Sequence, residues 1–521
     1  MNFLLLGAFE NVRILDLIVL VVYLGAMAAM GLFMASRNKS TEEYFVGGRS
    51  YSGWIIGISM LGTSISSVSF LAFPADAYKG NWSNLVSNWM LPIATVLAIA
   101  VFIPLFRSTR LTSAFEYLGH RFGAPLRIYG AIGFLLLQVI RIGSILFLVS
   151  MPVSLLFDVD IRIVIICAGI FVGFYTVVGG IDAVIWTDVI QSFVLCFGGI
   201  LCVAYILYQL PGGFGQVLEV GSDIDLNKFS LGDFDFDLSR KTFWTVSILG
   251  LIHFIGQCCS DQTFVQRYIA AKSTREARKA AILYSIFAIP TWTFFFFLGT
   301  CVYVYYLQFP TESLPKDPDA VFPYFILHQI PPGIAGLVIA GVLAAAMSSL
   351  DSSLNSISTV FTIDFLKPYL APNREDKYYL TVAKWVAVLF AVLMIAGALL
   401  FIELTKTYTV NQLTWIVASI FGGCLTGLFL VGFFTTRVKG NAAAFAVGVS
   451  IVANIYLNLM VFEMLPKQIT FPLNELWVGA IINLLFIVVA YGASFLLPST
   501  SEDLSGLTVW TFRKSSDESS N

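Results

Sequence analysis

Charge is what this sequence has least of. Only 12% of its 521 residues are Asp, Glu, Lys or Arg, about half the share of an ordinary soluble domain. Histidine occurs three times and never in a cluster, which argues against a transition-metal centre. No HExxH or Ser–His–Asp arrangement is present, so no enzyme is expected. Gly212-Gly-Phe-Gly215 lacks the strand and helix of a phosphate loop and reads as turn material. The seven cysteines (Cys167, Cys196, Cys202, Cys258, Cys259, Cys301 and Cys424) sit in apolar runs at spacings that suit no zinc site. They read as small core residues rather than disulfides. A net charge of −2 implies no polybasic surface for nucleic acid or lipid. What the chain does have is apolar mass: 58% of it is hydrophobic, the composition of a polytopic membrane protein. Its first apolar run is too long for a signal peptide and lacks a small-residue cleavage site, so it reads as a membrane span.

Thirteen apolar runs are long enough to cross a bilayer, at about 14–36, 53–75, 83–106, 126–157, 161–178, 184–209, 243–265, 277–307, 331–365, 379–402, 410–435, 441–462 and 474–497. The chain is therefore expected to be all-α, with one transmembrane domain over 1–498. The Ser-rich tail, 499–521, is expected to be disordered and cytoplasmic. One alternate set of loops holds nineteen Lys and Arg and the other nine. The positive-inside rule then puts the N-terminus outside and the C-terminus in the cytoplasm, in a cell inner membrane. The acidic loop 210–242, with Asp223, Asp225, Asp233, Asp235 and Asp237, lies outside.

Two spans are expected to be broken. The second carries the hydroxyl-rich run Gly62-Thr-Ser-Ile-Ser-Ser-Val-Ser69 ahead of Pro74, and the seventh carries Gly256-Gln-Cys-Cys-Ser-Asp-Gln262. They stand five spans apart. Two five-helix halves, 53–209 and 243–435, would each open on a discontinuous helix, and because five is odd the halves must be inverted. Paired interrupted spans point to a transporter binding site.

The ninth span, about Ile334 to Phe365, contains Ala344-Ala-Ala-Met-Ser-Ser-Leu-Asp-Ser-Ser353. Ala345, Ser348, Ser349 and Ser352 share one helix face, with Asp351 at its edge. Lipid supplies no water to such groups, so each needs a partner. A charge at the bilayer centre costs about 2.5–3.5 kcal/mol on the mildest scale. Hard oxygen ligands point to a small cation. Serines alone would also fit back-bonding to carbonyls or small-residue helix packing. Asp188 is a second intramembrane carboxylate, or a helix-end residue at the interface. If it meets Asp351 and Ser352, the pair must be filled by Na⁺ or a proton. Arg141, with Gln138 one turn away, is read as the only basic residue near the middle of a span. It needs a carboxylate, which is either an internal acid such as Asp261 or one on a substrate.

Glu43-Tyr-Phe-Val-Gly-Gly-Arg49, Thr112-Ser-Ala-Phe-Glu-Tyr-Leu118 with Arg121-Phe122, Gly179-Gly-Ile, Trp186-Thr-Asp-Val-Ile-Gln191, Val265-Gln-Arg-Tyr268 and the Ser348–Asn355 stretch together resemble the sodium:solute symporter family over nearly the whole chain. The resemblance implies a LeuT-like five-plus-five inverted repeat with one helix before it and two after. Within the family the chain is similar to the bacterial sodium/sialic acid symporters, in Thr112-Ser-Ala, in Ile185-Trp-Thr-Asp188 and in an arginine at the Arg141 position. By that likeness Arg141 holds the substrate carboxylate, and Thr63, Ser64, Ser66 and Ser69 bind its polar groups. Asn88 stands where those relatives carry a glutamine. The shared sodium site would fall on Gly62, Ile65, Ala345, Ser348 and Ser349. A second would fall on Asp188, Ser348, Asp351 and Ser352, where Asp351 replaces a serine of the sialic acid relatives. A sugar-specific member tends to carry an aromatic gate at the position of Thr263.

The function so implied is Na⁺-coupled uptake of a carboxylate-bearing sugar acid, N-acetylneuraminate first, by a functional monomer in the lipid bilayer with no nucleic-acid partner. Two Na⁺ per monoanion would move one net charge, worth about 2.3 kcal/mol per 100 mV. The alternatives are symport of a neutral sugar, a uronic acid or a short monocarboxylate, and, less well supported, a solute sensor or a substrate-gated channel.

Overall fold

The computed structural model describes residues 13–35, 39–223, 225–405, 422–462, 464–497 and 503–512. Among them every long element is a helix, and the only extended pairing is an isolated bridge between Tyr51 and Ala271. That is what a lipid solvent demands, because a helix satisfies its backbone groups within one segment. Among the described residues nine helices are long and apolar enough to span, or eleven if each of two bent pairs is one span. The expected separate spans 161–178 and 184–209 turn out to be one element, Ile161–Gln209, of 49 residues. At about 1.5 Å per residue this is far longer than one crossing. It turns at Gly180, whose φ of 57° is open to glycine at little cost. The expected span at 410–435 lies partly outside the described residues, which begin again at 422 and hold the helix Leu425–Phe434.

Both interrupted spans are broken where the polar runs fall. Gly53–Ser64 and Ser67–Lys79 meet at 58°, and Phe243–Cys259 and Gln262–Ala270 at 48°. Each second half starts on its own cap: Ser66 Oγ accepts from the Val68 amide at 3.2 Å, and Asp261 Oδ1 from the Thr263 amide at 2.9 Å. The caps satisfy donors that the breaks would otherwise leave bare.

The Ile334–Leu370 helix is the axis of the molecule. In its most apolar stretch 83% of residues are buried by protein, against 28–56% for the other single-helix spans. A helix shielded from lipid on all sides can carry Ser, Asn and Asp provided its neighbours answer them. The first broken helix approaches this region closely. A Cβ on Gly62 would lie 2.7 Å from Ser192 Oγ and 2.9 Å from the Asp188 carbonyl, so the contact requires a glycine.

Three expectations need correcting. The tail is not featureless: Leu507 and Thr508 are buried, Tyr117 donates to the Leu507 carbonyl at 2.9 Å, and Trp510 Nε1 to that of Phe434 at 2.8 Å. Averaging over 499–521 hides Leu504, Leu507, Trp510 and Phe512 among serines. Gly213, read as turn material, opens the short helix Gly213–Gly221. Of the cysteines, all are free and five are buried, but Cys167 is exposed and Cys196 half-buried.

Candidate functional site

The break in the first discontinuous helix leaves carbonyls without partners in their own helix. The axial helix supplies them. Ser348 Oγ donates to the Gly62 carbonyl at 2.9 Å and lies 3.1 Å from that of Ala345. Ser349 Oγ donates to the Thr63 carbonyl at 3.2 Å. Gly62, Ala345, Ser348 and Ser349 therefore converge, with Ile65 at the end of the broken half. All the donor atoms are hard oxygens, and the hydroxyls can turn to present lone pairs to a small cation.

Beside this lies a buried polar cluster that the sequence reading described only in part. Asp188 Oδ2 accepts from Ser59 Oγ at 2.6 Å and from Thr63 Oγ1 at 3.3 Å. Its charge partner is Arg267, whose Nη2 is 2.6 Å from both Asp188 Oδ2 and Ser352 Oγ. Arg267 Nε donates to Ser59 Oγ at 2.9 Å and Nη1 to the Thr263 carbonyl at 2.6 Å. The loop count of nineteen basic residues includes Arg267, and Arg141 is read as the only basic residue near the middle of a span. Both readings fail because the second half of the broken helix, Gln262–Ala270, turns inward and carries Arg267 to complete burial. The signal was available: Val265-Gln-Arg-Tyr268 continues the seventh span without a turn residue.

Asp351 accepts at Oδ2 from Tyr175 Oη at 3.0 Å and Thr187 Oγ1 at 3.2 Å. These donors are neutral, and Ser352 Oγ is a distant third at 3.4 Å from Oδ1. Asp188 Oδ1 and both polar atoms of Gln191 are buried without hydrogen-bond partners. With both carboxylates ionised, two acids against one guanidinium would leave one negative charge in a buried cluster. A lone charge of that kind is costly in a low-dielectric interior, and a bound monovalent cation would neutralise it.

The residues expected at the substrate divide. Arg141 Nη1 lies 3.5 Å from Asp261 Oδ2, and the two side chains remain 31% and 20% exposed. This is the internal partner anticipated for Arg141, held by one long contact. Ser64, at the first break, and Asn88 are half-buried. Ser66 is spent on its cap, and Ser69 is buried. Thr63 is fully buried and bonded to Asp188, Ser352 and the Ser59 carbonyl, so in this arrangement its hydroxyl belongs to the buried cluster.

Two discontinuous helices meeting over an oxygen-lined axial helix define a secondary transporter of the broken-helix class. Comparison with known proteins makes this specific. The family model for the sodium:solute symporter family matches residues 44–449, and the chain belongs to that family. It is 31% identical over 479 residues to the sodium/sialic acid symporter NanT of Aliivibrio fischeri, covering 92% of each chain. It is likewise 31% identical over 437 residues to the sodium/sialic acid symporter SiaT of Proteus mirabilis, covering 84% of this chain and 88% of that one. Among solved structures it is similar to a substrate-bound, outward-open Na⁺-coupled sialic acid symporter, with a TM-score of 0.84 at 29% identity, over 94% of this chain and 99% of that one.

Proposed function

We propose that this protein is a Na⁺-coupled symporter that imports a carboxylate-bearing sugar acid, N-acetylneuraminate first, by alternating access. The observation that carries the coupling is the convergence of Ser348 and Ser349 on the carbonyls of the first broken helix. A sodium ion among Gly62, Ile65, Ala345, Ser348 and Ser349 would hold that helix against the axial one, so the substrate cleft is complete only when sodium is bound. A second sodium would neutralise the negative charge left on Asp188 and Asp351, with Ser348 and Ser352 as neutral ligands. Arg267 then acts as a fixed counter-ion to Asp188 rather than as a ligand.

In the cleft, Arg141 exchanges Asp261 for the substrate carboxylate, which can take two parallel guanidinium bonds in place of one long contact. Ser64, Asn88 and the broken-helix hydroxyls face the remaining polar groups. The architecture is thirteen spans, a five-plus-five inverted repeat with one helix before and two after, working as a monomer with the N-terminus outside.

The test is uptake of labelled solutes into proteoliposomes, with and without a Na⁺ gradient, across sialic acid, neutral sugars and short monocarboxylates. Sodium-dependent accumulation of sialic acid with inward current supports the proposal with two sodium ions. Accumulation with zero current reduces the stoichiometry to one, and uptake indifferent to sodium sinks the coupling.

A further inference from the structure

A net charge of −2 conceals a strongly basic cavity. Five cations drawn from four separate stretches of chain, Arg49, Arg107, Arg110, Lys272 and Lys367, line one open cleft of about 770 Å³. Positive-inside bias accounts for cations scattered over a membrane face, not for their convergence on a single hollow. The two acids in its wall are already engaged. Glu42 pairs with Arg49 at 3.4 Å. Asp376 accepts from the Thr41 amide at 2.8 Å and its hydroxyl at 2.5 Å.

The cations are only partly used. Arg107 Nη1 donates to the carbonyls of Tyr268 and Ala271 at 2.8 and 2.7 Å, while its Nε is buried with no partner. Lys367 has one long hydrogen bond, 3.4 Å to Thr41 Oγ1. Arg110 and Lys272 are exposed and form no ion pair among the described residues.

We propose that this cleft binds a phosphate-bearing anion, supplied either by the head group of an anionic phospholipid or by a soluble phosphate compound. Arginine forks match phosphate oxygens, and basic pockets between membrane helices hold lipid head groups. The bound anion acts as a clamp. Arg49 immediately precedes the first broken helix, and Lys272 follows the second. The two stretches already touch, since the Lys272 amide donates to the Tyr51 carbonyl at 2.9 Å. Arg107 lies in the last turn of the 82–108 span and Arg110 just beyond it, and Lys367 lies in the last turn of the axial helix. Bridging these stretches stabilises the arrangement in which they meet.

The test needs no transport, so it stands or falls independently of the solute carried. The purified full-length protein is melted in detergent with phosphatidylglycerol or phosphatidylcholine added, and with inorganic phosphate or chloride at matched ionic strength. The same series is run on Arg110→Gln/Lys272→Gln, whose side chains make no ion pair that folding would miss, and on Lys367→Gln. The expected result is a rise in Tm with phosphatidylglycerol, phosphate or both, and roughly tenfold weaker binding in the double variant. A shift with phosphatidylglycerol alone assigns the source to lipid, and one with phosphate alone to a soluble anion. Equal shifts in wild type and both variants overturn the proposal. So does a shift, lost in the double variant, that N-acetylneuraminate produces while phosphate and phosphatidylglycerol do not.

Discussion

Two arginine–aspartate pairs within the membrane region are built in opposite ways. Arg267–Asp188 is wholly buried, with a 2.6 Å contact and further bonds to Ser59, Ser352 and the Thr263 carbonyl. Arg141–Asp261 is a single 3.5 Å contact between side chains that remain partly exposed. The first guanidinium has its donors committed to one fixed cage. The second has donors to spare and a partner it can leave. The same residue types therefore serve as a keystone in one place and as an exchangeable hook in the other, and what separates them is the number of bonds and the access to water.

The comparison can be broken most forcefully at the keystone. Arg267→Ala leaves Asp188 charged and unpaired in a dry interior, which should cost about 3–5 kcal/mol and depress both yield and Tm. A variant that melts like wild type would show that the pair is not what holds these helices together. Arg141→Ala should do the reverse. Uptake of acids disappears while stability changes by only about 0–1 kcal/mol, as for a long, solvent-accessible ion pair. Retained uptake would remove the carboxylate clamp from the proposed mechanism.

Asp261→Asn sharpens the contrast further. It relieves Arg141 of its resting partner, so KM for an acid substrate should fall, by roughly fivefold if the contact is worth about 1 kcal/mol, with kcat little altered. A raised KM would instead make Asp261 a direct substrate contact.

The smallest effect belongs to a third pair, Arg240–Asp237, in the acidic loop. Hydrogen bonds from Ser239 and then Arg240 pull the Asp237 carboxyl down from 3.8 to about 2. Because the folded-state value is the lower one, the contribution is fully present above the ordinary carboxylate range. It is lost as pH falls through about 2. The pair lies at the solvent-accessible surface of the loop, where ion pairs contribute little, so Asp237→Asn should leave Tm at neutral pH almost unchanged. A clear loss there would mean that the loop is more than a solvated connection.

Much of the site was legible without coordinates. The breaks at Ser64–Ser67 and Cys259–Gln262 fall where polar runs interrupt apolar spans, because lipid tolerates bare backbone only where protein answers it. The helical spacing of Ala345, Ser348, Ser349 and Ser352 placed them on one face, which is the face that meets Gly62 and Thr63. Arg141 was seen to need a carboxylate, and Asp261 supplies it. Arg267 was missed because a count of basic residues treats every loop-adjacent cation alike. Arg121 shows the same blindness: it is fully buried and donates to the Thr435 and Val438 carbonyls at 2.7 and 2.9 Å.

By itself the sequence determined the solvent, the helices, the places where they break and the residue types able to meet a cation or an acid. Those are local properties, set by hydrophobicity, helical period and the cost of a bare polar group in lipid. Only the tertiary structure decided which charge answers which. Asp188 went to Arg267 and Asp261 to Arg141, Asp351 was left with neutral hydroxyls, and five scattered cations came to line one cleft. Electrostatic pairing depends on distance in space and on burial, and neither is written in the spacing along a chain.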